Sequence, residues 1–174
     1  MTIETERLIL RAWRETDLAP FIRMNADSEV MRYFPGTLDP AQTELLYRNI
    51  LQEFADYGYG LYAAEEKQSG SFMGFIGFHW ARFEADFCPC VEIGWRLAKE
   101  FWNRGYATEG ASACLEHGAA ELGFDKIYSF TSVNNLASQR VMQKLGMTLE
   151  QYFDHPAVPD GHALKPHVCY RIKL

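Results

Sequence analysis

Between Val91 and Val133 the chain reads as an apolar strand, a glycine-bearing turn, a long helix with a small-residue face, and a second apolar strand. That order constrains the fold more than any other feature, because its length fits a strand, crossover helix and parallel strand in one sheet. The helix follows the stretch "EFWNRGYATEGASACLEHGAAELGF". In it Ala107, Ala111, Cys114, Leu115, Gly118, Ala119 and Leu122 fall on one face, and Gly123 is placed to end it. Side chains this small predict close packing of the helix on a sheet.

The flanking segments extend the same architecture. "RLILRAW" alternates as a strand and precedes a helix in "ETDLAPFIRMNAD", where Thr16 and Asp17 are capping types. Asp39 and Pro40 open a second helix, with Leu45, Ile50 and Phe54 at near-helical spacing and Gly58 at its end. "YGLYAAEE", "FMGFIGFHWARF" and "CPCVEIGWRL" predict a meander of strands. "KIYSFTSV" is a strand, "NNLASQRVMQKLG" a capped helix closed by Gly146, and "MTLEQYFD" and "HVCYRIKL" are strands around the loop "PAVPDGHALKP". With no repeat or linker, the expectation is one α/β domain over residues 1–174.

Composition excludes several function classes. The formal net charge of -6 offers no basic footprint for nucleic acid, and its sign suits a cationic substrate. The first ten residues mix acids and an arginine with apolar residues, so they predict neither a secretory leader nor a membrane anchor, and no other span reaches membrane length. The four cysteines, Cys88, Cys90, Cys114 and Cys169, read as reduced thiols in a cytoplasmic protein. His155, His162 and His167 cluster near the end of the chain, but their spacing matches no zinc pattern, and the expectation is no metal.

A glycine turn entering a helix suits phosphate binding, since the first backbone N–H groups of a helix lack partners and carry the positive end of its dipole. A Walker loop requires Gly-Lys-Ser/Thr, whereas this turn has Gly105-Tyr106-Ala107. A dinucleotide fingerprint requires three glycines, and the turn has Gly105 alone. The turn instead resembles the pyrophosphate loop of acetyl-coenzyme A-dependent N-acetyltransferases of the GNAT superfamily. "WNRGYATE" is similar to the "W-G-x-G-Y-A-T-E" of the ribosomal-protein N-terminal acetyltransferase (Rim-type) branch, with Asn103 in place of one glycine. "TERLILRAWRETD", "VEIGWRL" and "NNLASQRVMQKLGM" resemble other motifs of that branch in the same order.

The resemblance implies a mixed, mostly antiparallel twisted sheet of about seven strands flanked by about four helices, with splayed central strands. It implies acetyl-coenzyme A at Leu97, Asn103, Arg104, Gly105, Tyr106, Ala107, Thr108, Asn135 and Ser138, with Ser138 near the sulfur as hydrogen-bond donor or general acid. Amine acetylation needs an unprotonated amine, a place for the developing oxyanion and a proton for the leaving thiolate. In "CVEIGWRL", Val91, Ile93, Trp95 and Leu97 share one face while Glu92 points to the other, making Glu92 a candidate base, and Gly94 a place where a bulge would expose an N–H. A histidine from the tail loop is the alternative base. Tyr33, Phe34, His155 and His167 would border the acceptor. Arg140 and Lys144 share a helix face that could meet phosphate or solvent.

Two other classes compete with direct acetyl transfer. A non-catalytic coenzyme A-binding module would have no need of Glu92 and Ser138, and an ATP-dependent enzyme would need a lysine and metal-binding acids at spacings absent here. The acceptor, a protein N-terminus or a small-molecule amine, is not chosen by the resemblance. Neither is the assembly state, monomer or homodimer.

Overall fold

The computed structural model describes residues 2–174, and among them lie eight strands, four α-helices and two short 3-10 turns. The strands are β1 (Ile3–Glu4), β2 (Leu8–Arg11), β3 (Leu61–Glu66), β4 (Phe72–Ala81), β5 (Cys90–Leu97), β6 (Lys126–Ser132), β7 (Thr148–Asp154) and β8 (Pro166–Lys173). The helices are α1 (Leu18–Ala26), α2 (Pro40–Tyr57), α3 (Tyr106–Ala120) and α4 (Leu136–Lys144). All the strands form one sheet in the order β1-β2-β3-β4-β5-β6-β8-β7. Its neighbours are antiparallel except β5 and β6, which α3 connects as a parallel crossover. The additional strand is β1, two residues pairing Ile3 with Leu10 and Glu4 with Ile9, too short to show a period in sequence.

The pair β5 and β6 sets the site. Glu92 and Tyr128 are their single register pair, and beyond it the strands part. On its other side β5 keeps unbroken register with β4 from Cys90–Ala81 to Leu97–Gly74, so there is no bulge at Gly94. The strand edge there is freed by the splay, which the resemblance implies, and not by a bulge. The close β4–β5 approach depends on Gly74, whose φ is 132° and where a Cβ would lie 2.1 Å from the Arg96 carbonyl oxygen.

The main core lies between the sheet and α3. Ala111, Cys114 and Leu115 pack with Leu8, Ile76, Phe78, Ile93 and Ile127, and a Cβ at Gly110 would come within 2.5 Å of Ile76. A second cluster, with Trp13, Phe21, Ile50 and Phe75, seats α1 and α2 on the opposite face. Within α2 the expected stripe holds at Ile50 and Phe54 and fails at Leu45 alone, where Leu46 packs instead. Thr43, Leu46 and Ile50 face inward, and Leu45 is 61% exposed. Asp39 caps α2 by accepting from the Gln42 N–H at 2.8 Å, and Gly58 ends it at φ 75°. Asp17 does not cap α1 as expected, because Arg11 claims its carboxylate at 2.7 and 2.9 Å.

Candidate active site

A cleft of about 1020 Å³ opens where β5 and β6 part. The start of α3 and α4 line one flank, the α1–α2 loop and α2 the other, and the β7–β8 loop its mouth. Most of the residues expected from sequence meet there: Tyr33 and Phe34, Glu92 and Leu97, Asn103, Gly105 to Thr108, Asn135 and Ser138, and His155 and His167.

The phosphate-type turn is built by backbone geometry. Gly105 is the N-cap of α3 at φ 83°, a left-handed conformation glycine adopts without penalty. Asn103 is also left-handed, at φ 58°, and asparagine is among the few side chains that tolerate this, so it can stand where the motif that the turn resembles has glycine. The first helical bond runs from the Glu109 N–H to the Gly105 carbonyl, leaving the N–H groups of Tyr106, Ala107 and Thr108 without helical acceptors. The Trp102 indole N–H donates to the Leu97 carbonyl at 2.7 Å and ties the turn to the end of β5.

Two expected cofactor residues turn their side chains elsewhere. Arg104 is absent from the cleft wall; its guanidinium pairs with Glu66 at 3.6 Å and covers the Tyr106 ring. The Tyr106 hydroxyl donates to Glu66 in the interior, so this residue offers the cleft its backbone alone. Behind the turn Glu109 accepts from Thr5 Oγ1 at 2.6 Å and Arg7 Nε at 2.7 Å, and Arg7 Nη1 donates to the Arg104 carbonyl at 2.9 Å.

At the start of α4, Asn135 acts as the helix cap, its Oδ1 accepting from the Ser138 N–H at 3.2 Å. Its Nδ2 donates to Thr131 Oγ1 and Ser138 Oγ, each at 3.0 Å. Because Ser138 Oγ accepts that bond, its own proton is left for the cleft. Capping and an oriented hydroxyl coexist in one structure.

Glu92 faces the same space. Its Oε1 lies 3.8 Å from the place a Cβ would take at Gly94, so the missing side chain keeps the floor beside the carboxyl clear. Burial pushes the Glu92 carboxyl up to about 8, with His79 opposing that rise and Glu53 adding to it. His79 stands directly across the strand pair, and its Nδ1 lies 2.9 Å from Glu53, which also accepts from the Trp80 N–H at 2.6 Å. Sequence reasoning missed this Glu53–His79 pair because its members belong to α2 and β4. The one available signal was the position of His79 opposite Glu92 in the β4–β5 hairpin register.

The tail histidines join an aromatic cluster with Phe83, Phe130 and Phe153. His155 Nδ1 accepts from the Ala157 N–H at 3.2 Å, and His167 Nδ1 lies 3.0 Å from the Lys165 carbonyl, an acceptor, so the His167 proton sits on Nδ1. Burial lowers both, His155 to about 4. Among the described residues no group of three or more His, Cys, Asp or Glu is placed to hold a metal ion. All four cysteines are free and none lines the cleft.

The splayed parallel pair β5 and β6 with an open helix N-terminus at its end is the arrangement that the resemblance to acetyl-coenzyme A-dependent acetyltransferases implies. Residues 7–148 match the acetyltransferase (GNAT) domain, so the chain belongs to the GNAT family of acetyl-coenzyme A-dependent N-acetyltransferases. It is 35% identical over 144 residues to the Bacillus subtilis (strain 168) protein YkkB, covering 82% of this chain and 83% of that one. It is 29% identical over 175 residues to the N-acetyltransferase YnaD of the same organism, covering 99% and 96%. The crystal structure of a GNAT-family acetyltransferase from Bacillus anthracis is similar throughout, with TM-score 0.81 and 28% identity over 99% of this chain and 98% of that one.

Proposed function

We propose that this chain, acting as one catalytic domain over residues 1–174, transfers acetyl from acetyl-coenzyme A directly to a primary amine, with Glu92 as base and Ser138 as proton donor. The observation that carries the proposal is the convergence of the open α3 N-terminus, the Ser138 hydroxyl and the Glu92 carboxyl on the one gap between β5 and β6.

The residues fit the cofactor. The free N–H groups at Tyr106, Ala107 and Thr108, with the left-handed Asn103 and Gly105, suit a pyrophosphate, and Arg140 and Lys144 on the neighbouring α4 face add positive charge. Leu97 and Asn135 line the path from that turn to Glu92. The cofactor supplies an acetyl group activated as a thioester.

Everything else falls to the protein. The β5 edge released by the splay, from Gly94 to Leu97, offers backbone groups where negative charge develops on the carbonyl oxygen. The Glu92 carboxylate takes a proton from the acceptor ammonium, directly or through water. A group titrating near 8 suits that task at neutral pH better than His155, which has little proton affinity there. The Ser138 proton, unused by Asn135, is available to the departing sulfur. Direct transfer, without an acetylated enzyme, is supported by the cysteines: Cys90, Cys114 and Cys169 are pushed up by burial and lie outside the cleft.

Tyr33, Phe34, His155 and His167 border the acceptor. The site resembles the Rim-type branch in sequence, and the chain works in the cytoplasm as a monomer or homodimer, on a protein N-terminus or a small amine and not on nucleic acid or membrane. No helix among the described residues is long and apolar enough to cross a membrane. The test is release of free thiol from acetyl-coenzyme A on addition of a panel of amines. Amine-dependent release that Glu92→Gln lowers on the order of 100-fold supports the proposal, and cofactor binding without release for any amine favours the non-catalytic module.

A further inference from the structure

On the face of β5 that carries Glu92, the positions in sequence order are Glu92, Gly94 and Arg96, paired across to His79, Gly77 and Phe75 of β4. Gly94 leaves an open floor between Glu92 and Arg96, whereas Gly77 is covered by the neighbouring chain, a Cβ there lying 2.3 Å from the Gly60 carbonyl oxygen. At one end stand acids, Glu92 and Glu53, with Asp56 above them on α2. At the other end stands the Arg96 guanidinium, roughly 13 Å of strand away at about 3.3 Å per residue.

Arg96 is held in place as a cation without a counter-ion. Its Nη1 donates to Asn25 Oδ1 at 2.8 Å, and Asn25, fully buried, is steadied in turn by Thr43 at 3.5 Å. Its Cζ lies 4.2 Å from the Phe34 ring centre and 5.2 Å from that of Phe75. No acidic side chain pairs with it among the described residues, and Nε is buried with no partner. Burial pushes Arg96 down to about 10, and no neighbouring acid offsets this. An arginine oriented so carefully, desolvated and left uncompensated beside a cleft, is an arrangement completed by an anion that arrives with a ligand.

Resting on the transferase reading above, we infer that the acetyl acceptor is a small amine that also carries a carboxylate several bonds away, with the amine at the Glu92 end of the floor and the carboxylate on Arg96. The acids at one end and the single cation at the other match a dipolar molecule lying along β5. The Phe34 ring, 41% exposed, closes over the guanidinium and shields that contact from water. A polyamine would find the acid end congenial and the Arg96 end repulsive.

The experiment compares acceptors differing only in the carboxylate, lysine against cadaverine and ε-aminocaproate against hexylamine, with wild type, Arg96→Gln and Arg96→Lys. The expected result is a kcat/KM for the carboxylated member about 10- to 100-fold above its partner in wild type. Arg96→Gln should erase that ratio through the acceptor KM while the acetyl-coenzyme A KM stays unchanged, and Arg96→Lys should keep part of it. Equal or reversed preference in wild type, or an undiminished ratio in Arg96→Gln, overturns the inference. Should Arg96→Gln fail to fold, the wild-type ratios decide alone. If no member of the panel is acetylated although acetyl-coenzyme A binds, calorimetry with glutarate on that complex decides: binding supports the Arg96 site and no binding overturns it. Failure of acetyl-coenzyme A itself to bind would remove the transferase reading and this inference with it.

Discussion

The Arg7 guanidinium grips the Glu109 carboxylate through Nε at 2.7 Å and Nη2 at 2.6 Å, and with Nη1 it also holds the Arg104 carbonyl at 2.9 Å. The two residues belong to "TERL" at the start of the chain and "GYATE" at the start of α3, so an ion pair far apart in sequence fixes the back of the turn whose front faces the cleft. The Arg7 guanidinium also stacks on the Tyr106 ring at 4.5 Å. Arg7→Ala is therefore expected to weaken coenzyme A binding several-fold with little change in kcat, measured by calorimetry and steady-state kinetics. The stability loss should be modest, because the Arg7 side chain is 42% exposed and its ion pair is partly screened by water.

The left-handed turn makes opposite predictions at two positions. Gly105→Val places a branched side chain at φ 83°, which costs roughly 1–2 kcal/mol and should lower Tm by roughly 2–8 °C while reducing coenzyme A affinity. Asn103→Gly relieves the strain at φ 58° and should leave Tm and affinity unchanged or slightly raised.

Glu92 governs pH dependence in both rate and stability. As a base, it works when deprotonated, so wild-type kcat/KM should rise with pH through about 8. Glu92→Gln should lose that inflection and fall on the order of 100-fold. For stability the sign is the reverse. With its carboxyl raised on folding, the native state holds a proton that the unfolded chain has released, so this group's contribution declines as pH rises from about 4.5 to about 8. Chemical denaturation across that window should show a less negative slope in Glu92→Gln.

Ser138 and Asn135 separate chemistry from capping. Ser138→Ala keeps the backbone N–H that bonds Asn135, so helix stability should change little while kcat falls on the order of 100-fold. Asn135→Ala removes the cap and should cost about 1 kcal/mol, or about 2–4 °C in Tm, in addition to any kinetic effect.

The sheet and its four helices were legible because their signals are local: alternation in β5 and β6, the small-residue face of α3, and the caps at Asp39, Gly58 and Asn135. Gly105 and Asn103 were legible for the same reason, since a turn's chemistry is written in consecutive residues. What escaped was relational. The pairing of the Arg104 side chain with Glu66 on β3 is invisible in the turn's own residues, and the choice of Leu46 over Leu45 is made by packing. Glu53, His79 and Arg96 acquire meaning from cross-strand register and from α2 lying over β4, neither of which a single segment encodes. The bulge expected at Gly94 is absent, while the divergence of β5 from β6, which the resemblance implies, frees the strand edge.

The central claim, that the gap between β5 and β6 holds acetyl-coenzyme A, is tested most directly by thermal unfolding with acetyl-coenzyme A, coenzyme A, ATP or NAD added separately, since a ligand that binds only the folded chain raises Tm. The account predicts an upward shift with the two coenzyme A species and none with ATP or NAD. No shift with either coenzyme A species, at concentrations well above micromolar, would contradict it.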